Sequence, residues 1–170
     1  MLLVARPDIP DPRFRHTVIL ATQTPDGQTV GVIINRPGER KLGDFFPGAT
    51  AEAYADAIYY GGPVLPETLV AVFRSHSTPA APAFHVLRGV YMSMHPANIQ
   101  ALLGQREQEP FRLYAGFSGW RPGQLATELA APGGWYVVAA SEEIVFSADT
   151  SGLWRELVHK ASGRRTAGWK

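Results

Sequence analysis

Short apolar runs separated by turn residues dominate the chain. The runs are LLVA, HTVILAT, TVGVIIN, AIYYGG, LVAVFRS, FHVLRGVYMSM, FRLYAGF, WYVVAAS and EEIVFS. Most are rich in valine, isoleucine, tyrosine and phenylalanine and are bounded by glycine, proline, aspartate or serine, which is typical of β-strands. Between the second and third runs, Pro25-Asp26-Gly27 favours a tight turn. These two strands are therefore predicted to form a hairpin.

Four segments have the periodicity or the end signals of helices. They are AEAYADA, HPANIQALLGQ, PGQLATEL and SGLWRELVHKASG. Thr50 is a candidate N-cap for the first. Pro96 marks the start of the second and Gly104 its end, and Gly163 is expected to end the fourth. Consecutive strands joined by short turns outnumber the helices, which predicts an α+β fold rather than a regular alternation of strand and helix.

Composition limits the classes of function. The chain has 170 residues, of which 45% are hydrophobic, and this suits a single domain over residues 1–170. With 16 basic and 15 acidic side chains the net charge is +1, which argues against direct sequence-specific binding of nucleic acid. There is no cysteine, so thiolate zinc sites, iron–sulfur clusters and cysteine nucleophiles are excluded. No cofactor is predicted. The apolar run at the N-terminus is too short for a signal peptide or a membrane span, and a cytoplasmic protein is expected.

Two candidate binding segments follow predicted strands. Asn35 and Arg36 end the strand TVGVII, and the next residue is a proline. They either complete a strand end, with Asn35 bonding the backbone, or form the polar walls of a site. Gly61-Gly62-Pro63 could expose backbone N–H groups to an anion, but neither nucleotide-binding glycine motif is present. A tight turn or bulge explains these glycines equally well.

The third candidate segment, GFSGWRPGQLATEL, runs from Gly116 to Leu129. It is predicted to be a strand that breaks at glycines and leads into a helix starting at Pro122. Its candidate binding residues are Gly119, Trp120, Arg121, Gly123, Gln124 and Glu128. The spacing places a guanidinium, an amide and a carboxylate on one edge of the helix start. Trp120 either plugs the core or forms a stacking wall, and a tightly packed corner would explain the same residues structurally.

Gly123 has a specific expected role at the start of that helix. Its bare N–H would favour an anion or a carboxylate. Alanine there is then expected to weaken binding while helix propensity stabilises the fold by up to about 1 kcal/mol.

Other chemistry is not favoured by the spacing of its residues. His76, His85 and His95 are too far apart for a local metal pair, so no metal site is predicted. Ser118 lies between glycines but outside the pattern of a nucleophile elbow. The basic C-terminal segment HKASGRRTAGWK is interpreted as a solvated tail.

The three motifs, in this order, resemble the AlgH/YqgE family of small bacterial proteins. The matching positions lie in LLVARPDIPDPRF, GVIINRP, GGPV, GFSGWRPGQLATEL and GGWYVV, and they extend over nearly the whole chain. The resemblance implies a bent, bifurcated, mostly antiparallel sheet that forms a pseudo-barrel with helices packed outside. It implies no established enzymatic activity, and one member's name reflects a proposed role in transcriptional regulation.

The chain departs from this family at two positions. The histidine usual in the strand after GGPV is replaced by Arg74 or Ser75, with His76 slightly later, and Ala126 stands where an acidic residue usually follows GQL. A mechanism that depends on either group is not expected here.

Three classes of function remain. The favoured one is a non-enzymatic regulatory module that binds a protein partner or a small anionic ligand where the three motifs converge. The alternative is a hydrolase that uses Glu128 as acid or base, although no partner for this carboxylate is visible. A regulator that binds DNA directly ranks third, because no helix-turn-helix is readable.

Overall fold

The computed structural model describes residues 1–48, 52–105 and 109–166, with side chains described as far as residue 163. Within these ranges the chain forms nine strands and four α-helices. The strands are β1 Leu2–Ala5, β2 Val18–Gln23, β3 Thr29–Ile33, β4 Tyr59–Tyr60, β5 Val64–Arg74, β6 Phe84–Leu87, β7 Val90–Ser93, β8 Phe111–Trp120 and β9 Trp135–Val138. The helices are α1 Pro96–Leu103, α2 Gln124–Ala130, α3 Glu142–Val145 and α4 Leu153–Thr166, and two short 3-10 helices cover Pro12–Phe14 and Leu42–Asp44. None of the described helices is long and apolar enough to cross a membrane.

All nine strands belong to one mixed, mainly antiparallel sheet. The order is β6-β7-β5-β8-β3-β2-β1-β9, and β4 pairs in parallel with β8 away from this path. The sheet is therefore open, with β6 and β9 as its ends. It divides at β8, which pairs with β5 along one side and with β4 and β3 in succession along the other. The predicted α+β class is confirmed.

The two-residue alternation of the strands separates the core into layers. Alternate residues of β1, such as Leu2 and Val4, join a cluster that includes Leu157 of α4. Leu3 and the other intervening positions face a second cluster beneath α2, and a third cluster lies against α1. Since the central strands are buried on both faces, they appear in the sequence as continuous apolar runs.

The predicted hairpin is confirmed, whereas the predictions for residues 52–57, for the run EEIVFS and for the end of the last helix are wrong. β2 and β3 pair antiparallel, and Gly27 in their turn has a φ of 84°. Residues 52–57 form turns rather than a helix, and the candidate cap Thr50 lies outside the described residues. The run EEIVFS forms α3 instead of a strand, because Ser141 caps the segment by accepting a hydrogen bond from Ile144 N–H. Helix α4 continues through Gly163 to Thr166, since one glycine inside a helix costs only about 1 kcal/mol.

Candidate functional site

The three motifs meet where the sheet divides. β3 and β8 pair over residues 29–31 and 118–120, then separate, and the end of β4 occupies the space between them. Ile33 N–H donates to Gly61 O at 2.9 Å on one side, and Gly61 N–H donates to Ala115 O at 2.9 Å on the other. The motifs are therefore brought together as neighbouring backbone segments rather than as loops around an open site.

The segment at the end of β4, which lies between β3 and β8, is called the wedge. Glycine is required there because the backbones of the wedge, β8 and the start of β5 are in close contact. A Cβ atom added at Gly61 would lie 2.2 Å from Gly116 O, and one added at Gly62 would lie 2.3 Å from Phe117 O. Gly116 itself has a φ of 71°, which disfavours any residue with a side chain. The Gly61 amide is already bonded, so it is not available to an anion. Pro63, half-buried, follows directly and leads into β5.

Asn35 and Arg36 fix the chain that precedes β2. Asn35 Oδ1 accepts from Val18 N–H and its Nδ2 donates to His16 O, both at 2.9 Å. The Arg36 guanidinium donates to two carbonyl oxygens of segment 13–15, at 2.5 and 2.8 Å. Burial lowers the pKa of Arg36 from its ordinary value. Both side chains thus hold the backbone, which the structural interpretation of this motif predicts for Asn35 but not for Arg36.

Glu128 of α2 connects the end of β8 with the start of β9. Its Oε2 accepts hydrogen bonds from Trp120 Nε1 and Trp135 Nε1, each at 3.0 Å, and its Oε1 accepts one from Gln124 Nε2 at 3.1 Å. The two indole rings meet edge to face, with centroids 6.1 Å apart, and each tryptophan is only 4% exposed. Trp120 is therefore a core plug. Glu128 is half-buried.

The predicted break of the strand at its glycines is wrong, because β8 runs through Gly116 and Gly119 to Trp120. The helix start also differs from its predicted form. Helix α2 begins at Gln124 and has seven residues, and Gly123 is its N-cap in the left-handed conformation, with a φ of 80°. Pro122 therefore lies before the helix, and Gln124 Oε1 accepts the N–H of Arg121 at 3.1 Å. Arg121 and Gly123 are exposed. The side-chain amide of Gln124 is fully engaged, since its oxygen accepts from Arg121 N–H and its nitrogen donates to Glu128.

The left-handed cap reverses the effect expected for alanine at Gly123. Gly123→Ala should lower the free energy of unfolding by about 1–2 kcal/mol, because an L-residue is strained at this φ. Space does not contribute, since no atom lies within 4 Å of the added Cβ position. Gly123→Asn is the control and should recover part of the loss, because asparagine tolerates this conformation. Urea denaturation measures both, and a gain of stability in the alanine variant would contradict the assigned conformation.

A cavity of about 240 Å³ lies beside Glu128. We call it the aromatic slot, and its principal lining residues are Ile9, Asp11, Phe14, Glu128, Pro132 and Trp135. Phe14 packs edge to face on Trp135 at 5.5 Å between ring centroids. Arg13 binds Asp11 through its guanidinium at 2.8 Å and lowers the pKa of that carboxyl. The slot thus combines apolar and aromatic walls with two carboxylates. Asp11 is ion-paired, whereas Glu128 is in none of the ion pairs among the described residues.

The charge of Glu128 has no counter-charge in the part of the chain that the structure describes. Its three hydrogen-bond donors are two indoles and an amide, all neutral, and none of the ion pairs found among the described residues includes it. Carboxylates withdrawn from water are usually paired with a cation. Glu128 is the feature of this site that calls for a partner.

The candidate residues are distributed unevenly around the slot. Glu128 lines it, and Trp120 and Gln124 hold Glu128 in place. Gly119 pairs with Val30 where β8 meets β3. The other candidates lie away from the slot: Gly61, Gly62 and Pro63 in the wedge, Asn35 and Arg36 after β3, and Arg121 and Gly123 on the exposed turn before α2.

The sequence interpretation missed three residues of the slot. Asp11, Phe14 and Trp135 lie within segments that resemble the family, but none of them is among the predicted binding residues. One signal was available: a buried tryptophan needs an acceptor for its N–H, and Trp135 lies seven residues after Glu128.

No group of three or more histidine, aspartate or glutamate side chains that could hold a metal ion occurs within residues 1–48, 52–105 and 109–163.

A divided, mainly antiparallel sheet, with a glycine-rich segment inserted at the division and a tryptophan-bound glutamate beside it, defines a small α+β protein with a candidate site at one corner of the sheet. The model of the AlgH-like family matches residues 2–166, and the chain belongs to this family. A UPF0301 protein of Thermobifida fusca is 32% identical over 176 aligned positions, which cover 95% of this chain and 86% of the relative. A UPF0301 protein of Chlorobaculum tepidum is 29% identical, with the same two coverages.

Two solved structures have the same fold. The solution structure of the AlgH protein from Pseudomonas aeruginosa superimposes with a TM-score of 0.76 at 25% identity, covering 95% of this chain and 87% of that one. The crystal structure of a Corynebacterium diphtheriae protein superimposes with a TM-score of 0.69, also at 25% identity, covering 94% and 84%. The family inferred from the sequence motifs is confirmed.

Proposed function

We propose that the protein is a non-enzymatic binding module that receives a positively charged side chain of a partner protein in the aromatic slot. Its regulatory effect would then come from this protein–protein contact and not from catalysis or direct binding of DNA. The observation that carries the proposal is the carboxylate of Glu128, which no cationic side chain of the described residues pairs, beside a cavity with aromatic walls.

The chemistry of the slot suits a guanidinium or an ammonium group. Such a group would supply the counter-charge that the indole and amide donors do not supply to Glu128. The rings of Phe14 and Trp135 line the same cavity, and aromatic faces attract cations by about 0.5–2 kcal/mol. Asp11 is already paired with Arg13, so it would not compete with Glu128 for the cation.

The same features disfavour the other candidates. A phosphate of DNA would be repelled by Glu128, and the near-neutral net charge of +1 provides little general attraction. A small anionic ligand would have to bind away from the slot, near the exposed Arg121. A hydrolase would need a second group that exchanges protons beside Glu128, whereas its hydrogen-bond partners are indoles and an amide.

A pair of short peptides that differ in one charge tests the proposal. One carries a central arginine and the other carries citrulline, its neutral isostere, at the same position. Calorimetric titration should show that the arginine peptide binds at least about tenfold more tightly, which corresponds to about 1.4 kcal/mol. Equal binding of the two peptides would contradict the proposal, as would tight, sequence-dependent binding of duplex DNA that persists as the salt concentration is raised.

Two variants locate the binding site. Phe14→Ala removes one aromatic wall of the slot and should abolish most of the preference for arginine. Phe46→Ala is the matched control, because Phe46 is also half-buried but belongs to the core cluster near α1. If both variants lowered the affinity equally, the effect would reflect stability and not contact with the peptide.

A further inference from the structure

The two ends of the sheet are not equally protected. At one end β6 is approached by β2, whose Thr22 Oγ1 donates to His85 O at 3.0 Å. At the other end β9 pairs with β1, and among the described strands it has no second neighbour. Unpaired strand edges are sites at which another extended chain can add to a sheet.

The backbone groups of Val137 point away from β1. Arg6 N–H donates to Gly134 O at 3.0 Å, and the register then pairs Val4 with Tyr136. Because hydrogen-bonded positions alternate along an antiparallel pair, residues 134, 136 and 138 bond β1, whereas Val137 directs its N–H and C=O outward. Val137 is also 54% exposed, which is unusual for a large apolar residue in this structure. Val137 therefore offers this edge a donor and an acceptor that no described residue bonds, together with an apolar side chain.

A groove of about 410 Å³ follows this edge. It is lined by the four consecutive residues of β9, with Leu129 and Ala161 at its sides. Side chains alternate between the two faces of a strand, so a cavity that touches four in succession must run along the edge itself. We call this cavity the edge groove.

The edge groove carries positive charge. The Arg6 guanidinium lies 4.6 Å from the centroid of the Tyr136 ring, and its Nε donates weakly to Trp135 O at 3.5 Å. Lys160 also lines the groove, but it is paired with Glu156 at 2.7 Å. Arg6 is in none of the ion pairs of the described residues, so it is available to a carboxylate. Two copies of β9 side by side would bring like charges together, which disfavours self-association.

We propose that the edge groove binds an extended, acidic segment of a partner protein, which adds to the sheet as a further strand beside β9. The backbone of the segment bonds the N–H and C=O of Val137, and a carboxylate of the segment pairs with Arg6. This site shares Trp135 with the aromatic slot, but it has the opposite charge preference and does not depend on a cation in the slot.

Titration of the isotope-labelled protein with two short peptides tests this proposal. One peptide alternates valine with glutamate and the other alternates valine with lysine. The valine–glutamate peptide should shift the Val137 amide resonance saturably and bind at least about tenfold more tightly than the valine–lysine peptide. Failure of the valine–glutamate peptide to shift this resonance, or a preference for the lysine peptide, would overturn the proposal.

Three variants separate the backbone and charge contributions. Val137→Pro removes the outward donor without removing a bond to β1, and proline is tolerated on edge strands, so binding should be lost while the fold is retained. Val137→Thr keeps the donor and should bind normally. Arg6→Gln should abolish the preference for glutamate over lysine even if the proline variant fails to fold. A concentration-dependent dimer that Val137→Pro disrupts would show that a second copy occupies the groove and would overturn the assignment to an acidic partner.

Discussion

Replacing Gly61 with alanine is expected to unfold the protein or to lower its free energy of unfolding by about 3 kcal/mol or more. The added Cβ would lie 2.2 Å from Gly116 O and 3.1 Å from Tyr114 Cβ. The obstacle is mainly backbone, held by the hydrogen bonds that Gly61 makes to both halves of the divided sheet. Overpacking of this kind usually costs about 1–3 kcal/mol, and the lost hydrogen bonds add to that cost. Urea denaturation followed by circular dichroism measures the change.

Gly152→Ala provides the matched control for this variant. Gly152 lies in the turn before α4, and no atom is found within 4 Å of its added Cβ. Its replacement should leave the midpoint of denaturation nearly unchanged. If Gly61→Ala were as stable as this control, the wedge would not be the tightly packed junction described above.

Glu128→Ala should lower the free energy of unfolding by about 3 kcal/mol and should alter tryptophan fluorescence. The substitution leaves the N–H groups of Trp120 and Trp135 without their acceptor in a nearly buried environment. Each unsatisfied buried donor costs about 1–3 kcal/mol. Glu128→Gln should be less harmful, since the amide oxygen can still accept from the indoles. Thermal and urea denaturation, with emission spectra of the folded state, check both variants.

Glu156→Ala is the control for loss of a glutamate. Glu156 is exposed on α4 and pairs with Lys160 across one helical turn, an arrangement that contributes little to stability. If Glu128→Ala behaved like this control and left the emission spectrum unchanged, the bridge between the two tryptophans would be refuted.

The strands and the hairpin could be predicted because their signals are local. Eight of the nine apolar runs bounded by turn residues contain strands, and Pro25-Asp26-Gly27 marks the turn of the hairpin. The run EEIVFS was misassigned because its β-branched and aromatic residues outweighed the cap at Ser141. Four residues are too few for periodicity to separate a helix from a strand.

The candidate site could be predicted only in part, because it depends on contacts between distant segments. The sequence motifs indicated Glu128, Gln124 and Trp120, which lie within nine residues of one another. The slot also needs Phe14 against Trp135, and nothing local in either segment indicates that these rings meet. From the sequence alone, the glycines of the GGPV motif are also compatible with an anion site. The structure explains them by close packing, because a side chain at Gly61 or Gly62 would overlap the backbone of Gly116 or Phe117.

The central claim is that the aromatic slot holds a carboxylate, without an ion pair among the described residues, that accepts a cation. The most direct test is an NMR titration with ethylguanidinium, which carries the charged group of an arginine side chain, compared with ethylurea, its neutral analogue. Ethylguanidinium should shift the indole N–H resonances of Trp120 and Trp135 saturably, because both donate to the carboxylate that the cation approaches. Ethylurea should shift them much less. Equal shifts with the two compounds, or no shift of either indole resonance with ethylguanidinium, would contradict the claim.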